Sequence, residues 1–260
     1  MRWKRVDSTD VIDERASSGL PGGRIAIPGG LGVTGVLIFL AISLLGGGGG
    51  TATTPSAIPA GQDPEKNLKD FSVYVFESTQ RRWQQTFRQE GKPYEHAKLV
   101  LYRNGVQTGC GSATSAVGPF YCPADQRVYL DLGFYRDMKD QLQAPGDFAW
   151  AYVIAHEMGH HVQEQLGAMS RSRDSVRTEL QADCYAGVWA KSVFKQLEQG
   201  DIEEAMNATR AVGDDRLQKK ATGHVNPDTF THGTSAQRAK WFSRGQQSGD
   251  PANCDTSGQI

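Results

Sequence analysis

Apolar and polar positions along this chain follow two periods. From Asn67 to Glu90, Phe71, Val75, Trp83 and Phe87 recur near helical spacing and predict an amphipathic helix. Lys98 to Tyr102 (KLVLY) and Arg127 to Leu132 (RVYLDL) read as strands, with Asn104-Gly105 as a turn between them. Asp147 is a plausible N-cap for a helix running FAWAYVIAHEMGHHVQEQL and stopping at Gly167. Ser175 to Gln199, closed by Gly200, carries one stripe of Val176, Leu180, Cys184, Val188 and Trp189. Asp201, Glu203 and Glu204 open a further helix, and Ser235 to Arg244 forms a last one. A few strands followed by mostly helices predict an α+β fold, mainly helical with a small sheet.

One stretch has neither period. Ile25 to Leu45 carries no charge and is long enough to cross a bilayer core of about 30 Å. Its glycines and Pro28 are tolerated better in membrane helices than in water. Arg2, Lys4, Arg5, Arg15 and Arg24 precede it, and no Lys or Arg follows until Lys66. The bias predicts a cytoplasmic leader (1–24), a transmembrane helix (25–45) and a folded domain outside the cytoplasm. Residues 46–63, rich in Gly, Pro and Thr, read as a flexible tether, so the domain is expected over 64–260. A cleaved signal peptide is the alternative, but the charged leader is long for one.

The balance of charge narrows the partners. The net charge is −1, so no basic excess speaks for nucleic acid. All four cysteines, Cys110, Cys122, Cys184 and Cys254, follow the uncharged stretch, which suggests disulfides in an exported domain. Cys110 and Cys122 flank a turn-rich loop and are the natural first pair, leaving Cys184 and Cys254 to tie the tail to a helix. Four cysteines allow three pairings. A zinc site made of all four is disfavoured because no CxxC spacing is present.

The chemistry concentrates in His156-Glu157-Met158-Gly159-His160, an HExxH pattern on a predicted helix. Residues four apart share a helix face, so His156 and His160 can bind one Zn²⁺. Glu157, at the edge of that face, can take a proton from water activated by the metal. A hydrolytic site needs a third protein ligand and an open position. Glu179, in Glu179-Leu180-Gln181-Ala182-Asp183, fits the third ligand. Asp183, one turn on, can accept a hydrogen bond from the far nitrogen of His156. His224 and His232 are rival ligands. His161 is rotated off the metal face, which suggests a structural or solvent-facing role. The metzincin pattern is excluded, because Gln163 and Leu166 stand where it needs Gly and His. For the developing oxyanion of peptide hydrolysis the candidates are His232, then Arg238 and Tyr185, with a structural salt bridge as the other role for Arg238.

Several segments together resemble the bacterial neutral zinc metallopeptidase family: residues 118–135, AHEMGHHVQ (155–163), ELQADCYAGVWA (179–190), GDDRLQ (213–218) and HGTSAQRAKWF (232–242). The charged start, the uncharged stretch and the glycine-rich tether are similar too. The resemblance implies a zincin-like fold on the bacterial cytoplasmic membrane. His156, His160 and Glu179 would hold one zinc ion. The strand at Arg127 to Leu132 would lie above the cleft and pair with an extended peptide. The expected function is zinc-dependent peptide-bond hydrolysis with Glu157 as general base. The alternative is a non-catalytic, metal-binding envelope protein that binds peptides or proteins.

Overall fold

The computed structural model describes residues 1–16, 63–171, 174–258 and 260. The uncharged stretch 25–45 and the tether to residue 62 lie outside the described residues. No described helix is long and apolar enough to cross a membrane.

Helix α1 (Lys66–Gln89) opens the main body, burying Phe71, Val75, Trp83 and Phe87, the stripe expected from sequence. A four-stranded sheet follows, in the order β1-β2-β6-β5. Strands β1 (Val11–Asp13), β2 (Lys98–Tyr102) and β6 (Arg127–Asp131) run parallel, and β5 (Phe120–Cys122) pairs antiparallel with β6. A hairpin, β3 (Gly105–Thr108) and β4 (Gly111–Thr114), inserts after β2. Asn104, at φ 63, makes the tight turn into it. The helices are α2 (Phe134–Asp140), α3 (Asp147–Gln165), α4 (Ala168–Arg171), α5 (Ser175–Ser192), α6 (Asp201–Ala211), α7 (Asp214–Thr222) and α8 (Ser235–Ser248).

Helix α3 is the centre of the fold. Every residue from Phe148 to Gln163 is buried, because α1, α5, α6 and β5 surround it. Such a helix shows little amphipathic contrast, in keeping with the run FAWAYVIA. Helices α5 and α8 touch backbone to backbone. A β-carbon on Gly187 would collide with the carbonyl oxygen of Phe242, and one on Gly245 with that of Cys184. This approach lets Arg238 on α8 reach the buried side of α5.

Two disulfides are formed, Cys110–Cys122 and Cys184–Cys254. The first joins the start of β4 to the end of β5. The second fastens the C-terminal 3₁₀ turn (Pro251–Cys254) to α5.

Four expectations change. The domain does not begin at 64, because residues 1–16 are built into it. Strand β1 pairs with β2, and Arg15, 2% exposed, bonds Asp13, Asp63 and Glu65. The helix expected over 175–199 ends at Ser192. Phe194–Gln196 forms a 3₁₀ turn, and the Gln196 carbonyl accepts from the Arg2 amide, a bond unavailable to a continuing α-helix. Asp147 is not an N-cap. It is the first helical residue after Gly146 (φ 121), and its carboxylate accepts from the Met1 ammonium at 2.9 Å. Finally, β6 lies between β2 and β5, so its backbone is already paired; the free edge at this end is β5.

Candidate metal centre

The helical repeat puts His156 and His160 one turn apart on α3, and α5 brings Glu179 across from them. Their ligand atoms all lie within 4.8 Å of one another, and all three side chains are buried. His156 Nε2 stands 3.1 Å from Glu179 Oε2, and His160 Nε2 stands 3.5 Å from Oε1.

The far nitrogens explain that orientation. His156 Nδ1 donates to Asp183 Oδ1 at 2.9 Å, and His160 Nδ1 donates to Gln163 Oε1 at 2.8 Å. Each bond leaves Nε2 aimed at Glu179. Gln163 is itself fixed, donating to the Thr178 carbonyl and to Gln181, which in turn donates to the Cys254 carbonyl. Asp183 is fully buried. It accepts from Tyr152 at 2.6 Å and from two nitrogens of Arg238 at 2.8 and 2.9 Å. A buried carboxylate needs such partners.

This environment favours a cation. Burial works against charge on His156, but Asp183 and Glu179 outweigh it and push its pKa up to about 10. His160 is raised too, against burial, by Glu179. Burial alone would raise the Glu179 carboxyl, yet the two imidazoles hold it well below its usual range. Two imidazole nitrogens and one carboxylate, oriented from behind, form a donor set that fits zinc.

Glu157 is not part of the cluster. It lines a cavity of about 30 Å³ with His156, Tyr152, Pro119, Val212 and Arg238. Burial raises its carboxyl, with His156 and His160 opposing, and the Tyr121 amide of the edge strand β5 donates to it. A raised carboxyl nearer neutrality suits proton transfer.

The other sequence candidates separate. His232 is buried. Its Nδ1 lies 2.8 Å from Asp214 Oδ1, while Asp214 Oδ2 accepts the amides of Thr231, His232 and Gly233. Burial would raise Asp214, but His232 and these amides hold it low. His232 Nε2 is buried without a hydrogen-bond partner among the described residues. Arg238 is the salt-bridge partner of Asp183 and also lies 3.7 Å from Glu179. Tyr185 points elsewhere, edge-on to Trp83 in the cluster around Cys184–Cys254. His161 is fully buried, between the Tyr121 hydroxyl and the Glu95 carbonyl, so it does not face solvent. His224 is exposed on the far loop. Sequence reasoning missed Gln163, Tyr152 and Asp214. Gln163 could have been found at His160 plus three, on the same helix face.

A family described as "putative neutral zinc metallopeptidase" matches residues 1–257. The "Uncharacterized protein YpfJ" of Escherichia coli is 48% identical over 288 aligned positions, spanning 100% of this chain and 99% of its own. The "Uncharacterized protein Rv2575" of Mycobacterium tuberculosis is 48% identical over 184 positions, 63% of each chain. No solved structure matches. With its HExxH helix, a carboxylate in the place of a third ligand and a match over nearly its whole length, the chain belongs to the neutral zinc metallopeptidase family.

Proposed function

We propose that this protein is a zinc metallopeptidase, tethered to the bacterial cytoplasmic membrane through residues 25–45, with its metal site outside the cytoplasm. The observation that carries the reaction is the division of labour on α3. His156 and His160 turn their Nε2 atoms to Glu179, and Glu157, between them in sequence, stays outside that cluster and lines the adjoining cavity, where the edge of His156 also reaches. His156, His160 and Glu179 would hold a zinc ion, which would supply Lewis acidity for activating water and polarising a peptide carbonyl.

Glu157 is the general base: it would take a proton from the attacking water and return it to the leaving amine. Asp183 and Gln163 keep the imidazoles turned, and Arg238 keeps Asp183 ionised. His232, oriented by Asp214, supports the oxyanion from Nε2. The outer edge of β5, whose Tyr121 amide is held by Glu157, is where an extended peptide adds as a further strand, next to the general base. Helix α3 beside the sheet, with that edge next to Glu157, supports a zincin-like arrangement. Both disulfides support an oxidising compartment.

The test is metal analysis of the full chain together with cleavage of an unfolded protein substrate. One zinc per chain, cleavage, and loss of cleavage with retained zinc in Glu157→Gln are expected. Zinc without cleavage would favour the non-catalytic peptide-binding alternative, and absence of zinc from folded protein would overturn both.

A further inference from the structure

An open groove lies away from the metal centre. It has a volume of about 390 Å³ and is lined by Arg2, Trp3, Lys4, Tyr74, Lys195 and Gln196. Beside it Phe194 is 59% exposed, with the Lys191 ammonium 5.5 Å from its ring centre. Arg5, also exposed, continues the basic row. The acidic neighbours are already paired, Glu198 with the Met1 ammonium and Asp7 and Asp70 with Arg5. The face is therefore cationic, with aromatic rings at its floor and one ring standing out of it. Basic side chains around an exposed aromatic match the headgroup zone of an anionic bilayer, where each Lys or Arg adds to the attraction.

Chain connectivity points to the same surface. The undescribed stretch, with its uncharged residues 25–45, leaves at Ala16 and returns at Asp63, and Arg15 bonds Asp63 at 2.6 Å. Both ends therefore lie together at the start of α1. The groove begins within about 13 Å of them, taking 1.5 Å per residue from Glu65 to Tyr74 along the helix. Lys69 joins Asp13, Arg5 approaches Asp70, and Trp3 packs on Phe71 and Tyr74, so the leader follows that part of α1.

We propose that this face rests on anionic phospholipid, through Arg2, Lys4, Lys191, Lys195 and Phe194. The leader and the metal-site domain then occupy the same side of the membrane. A leader that supplies a strand to the sheet cannot also be across the bilayer from it. Arg2 and Lys4 thus serve lipid contact beside the domain, in place of the cytoplasmic leader expected from sequence, while Arg15 is taken up by Asp13, Asp63 and Glu65. The inference is independent of the reaction proposed above.

The test uses the full chain carrying Phe194→Cys labelled with an environment-sensitive dye, with both native disulfides oxidised. The probes are phosphatidylcholine vesicles with and without phosphatidylglycerol. The expected result is a blue-shifted, brighter dye only with phosphatidylglycerol, reversed by high salt. Lys191→Glu with Lys195→Glu should weaken that response roughly tenfold or more. A dye that stays silent on phosphatidylglycerol vesicles overturns the docking face, whether or not the chain floats with them. In cells, Asp7→Cys and the unlabelled Phe194→Cys should react with an impermeant maleimide from the same side. Reaction from opposite sides overturns the shared compartment.

Discussion

Gly159 meets the backbone of Ala182 so closely that a β-carbon on it would stand 3.1 Å from both the Ala182 Cα and its carbonyl oxygen. This contact sets the separation of α3 and α5, and so the span from the two imidazoles to Glu179. Helix propensity favours alanine over glycine by about 1 kcal/mol, so the glycine is kept for space. Gly159→Val should widen the gap and weaken zinc binding tenfold or more, read by competition with a chromogenic chelator. Retention of parental affinity would show that the helices are spaced by other contacts.

Arg238 balances Asp183, a carboxylate with no access to water. Removing one partner of such a pair costs about 3–5 kcal/mol, since the other charge stays buried. Arg238→Ala should lower stability by that order, measured by urea unfolding, and loosen zinc with it. Pairing Arg238→Met with Asp183→Asn should recover much of the stability, because no lone charge remains.

Asp214 orients His232 through Nδ1, leaving Nε2 unpaired. If His232 acts on the oxyanion, Asp214→Asn should reduce kcat about 10²-fold with little change in KM or zinc content. A change in zinc content instead would assign the pair to the architecture of the metal site.

How much of this was legible in the sequence depends on the range of the interaction. HExxH and the Glu179 and Asp183 spacing were readable because helical geometry converts four residues into one face. Strands β2 and β6 and helices α1 and α3 were readable from their periods. The leader was not. Val11-Ile12-Asp13 is three residues long, and only the partner β2, far along the chain, makes it a strand. The Asp214–His232 pair likewise depends on α7 folding back on the loop before α8. Strand β5, also three residues long, gives too short a pattern to separate from the loop around Cys122.

Burial, with a smaller push from His96, lowers the pKa of His161 to about 4 against the opposing hydrogen bond to the Glu95 carbonyl. The unfolded chain, near 6.5, then binds the extra proton between those values, so stability falls as pH drops from 6.5 toward 4 and is flat above. Urea midpoints across that range should fall less steeply in His161→Gln than in the parent. Equal slopes would place the acid sensitivity in other groups.

The Cys184–Cys254 bond has a consequence for timing. Glu179, Asp183 and Cys184 follow one another on α5, yet Arg238 lies far downstream and Cys254 sits at the end of the chain. A nascent chain emerging N-terminus first presents HExxH and Glu179 long before the residues that neutralise and brace them. Until then Asp183 has no cation to justify its burial, and α5 has no covalent hold on the tail. The centre is therefore completed late: its bracing waits for Arg238 to be made and for the Cys184–Cys254 bond to form, which ties the finishing of the site to oxidation of two thiols.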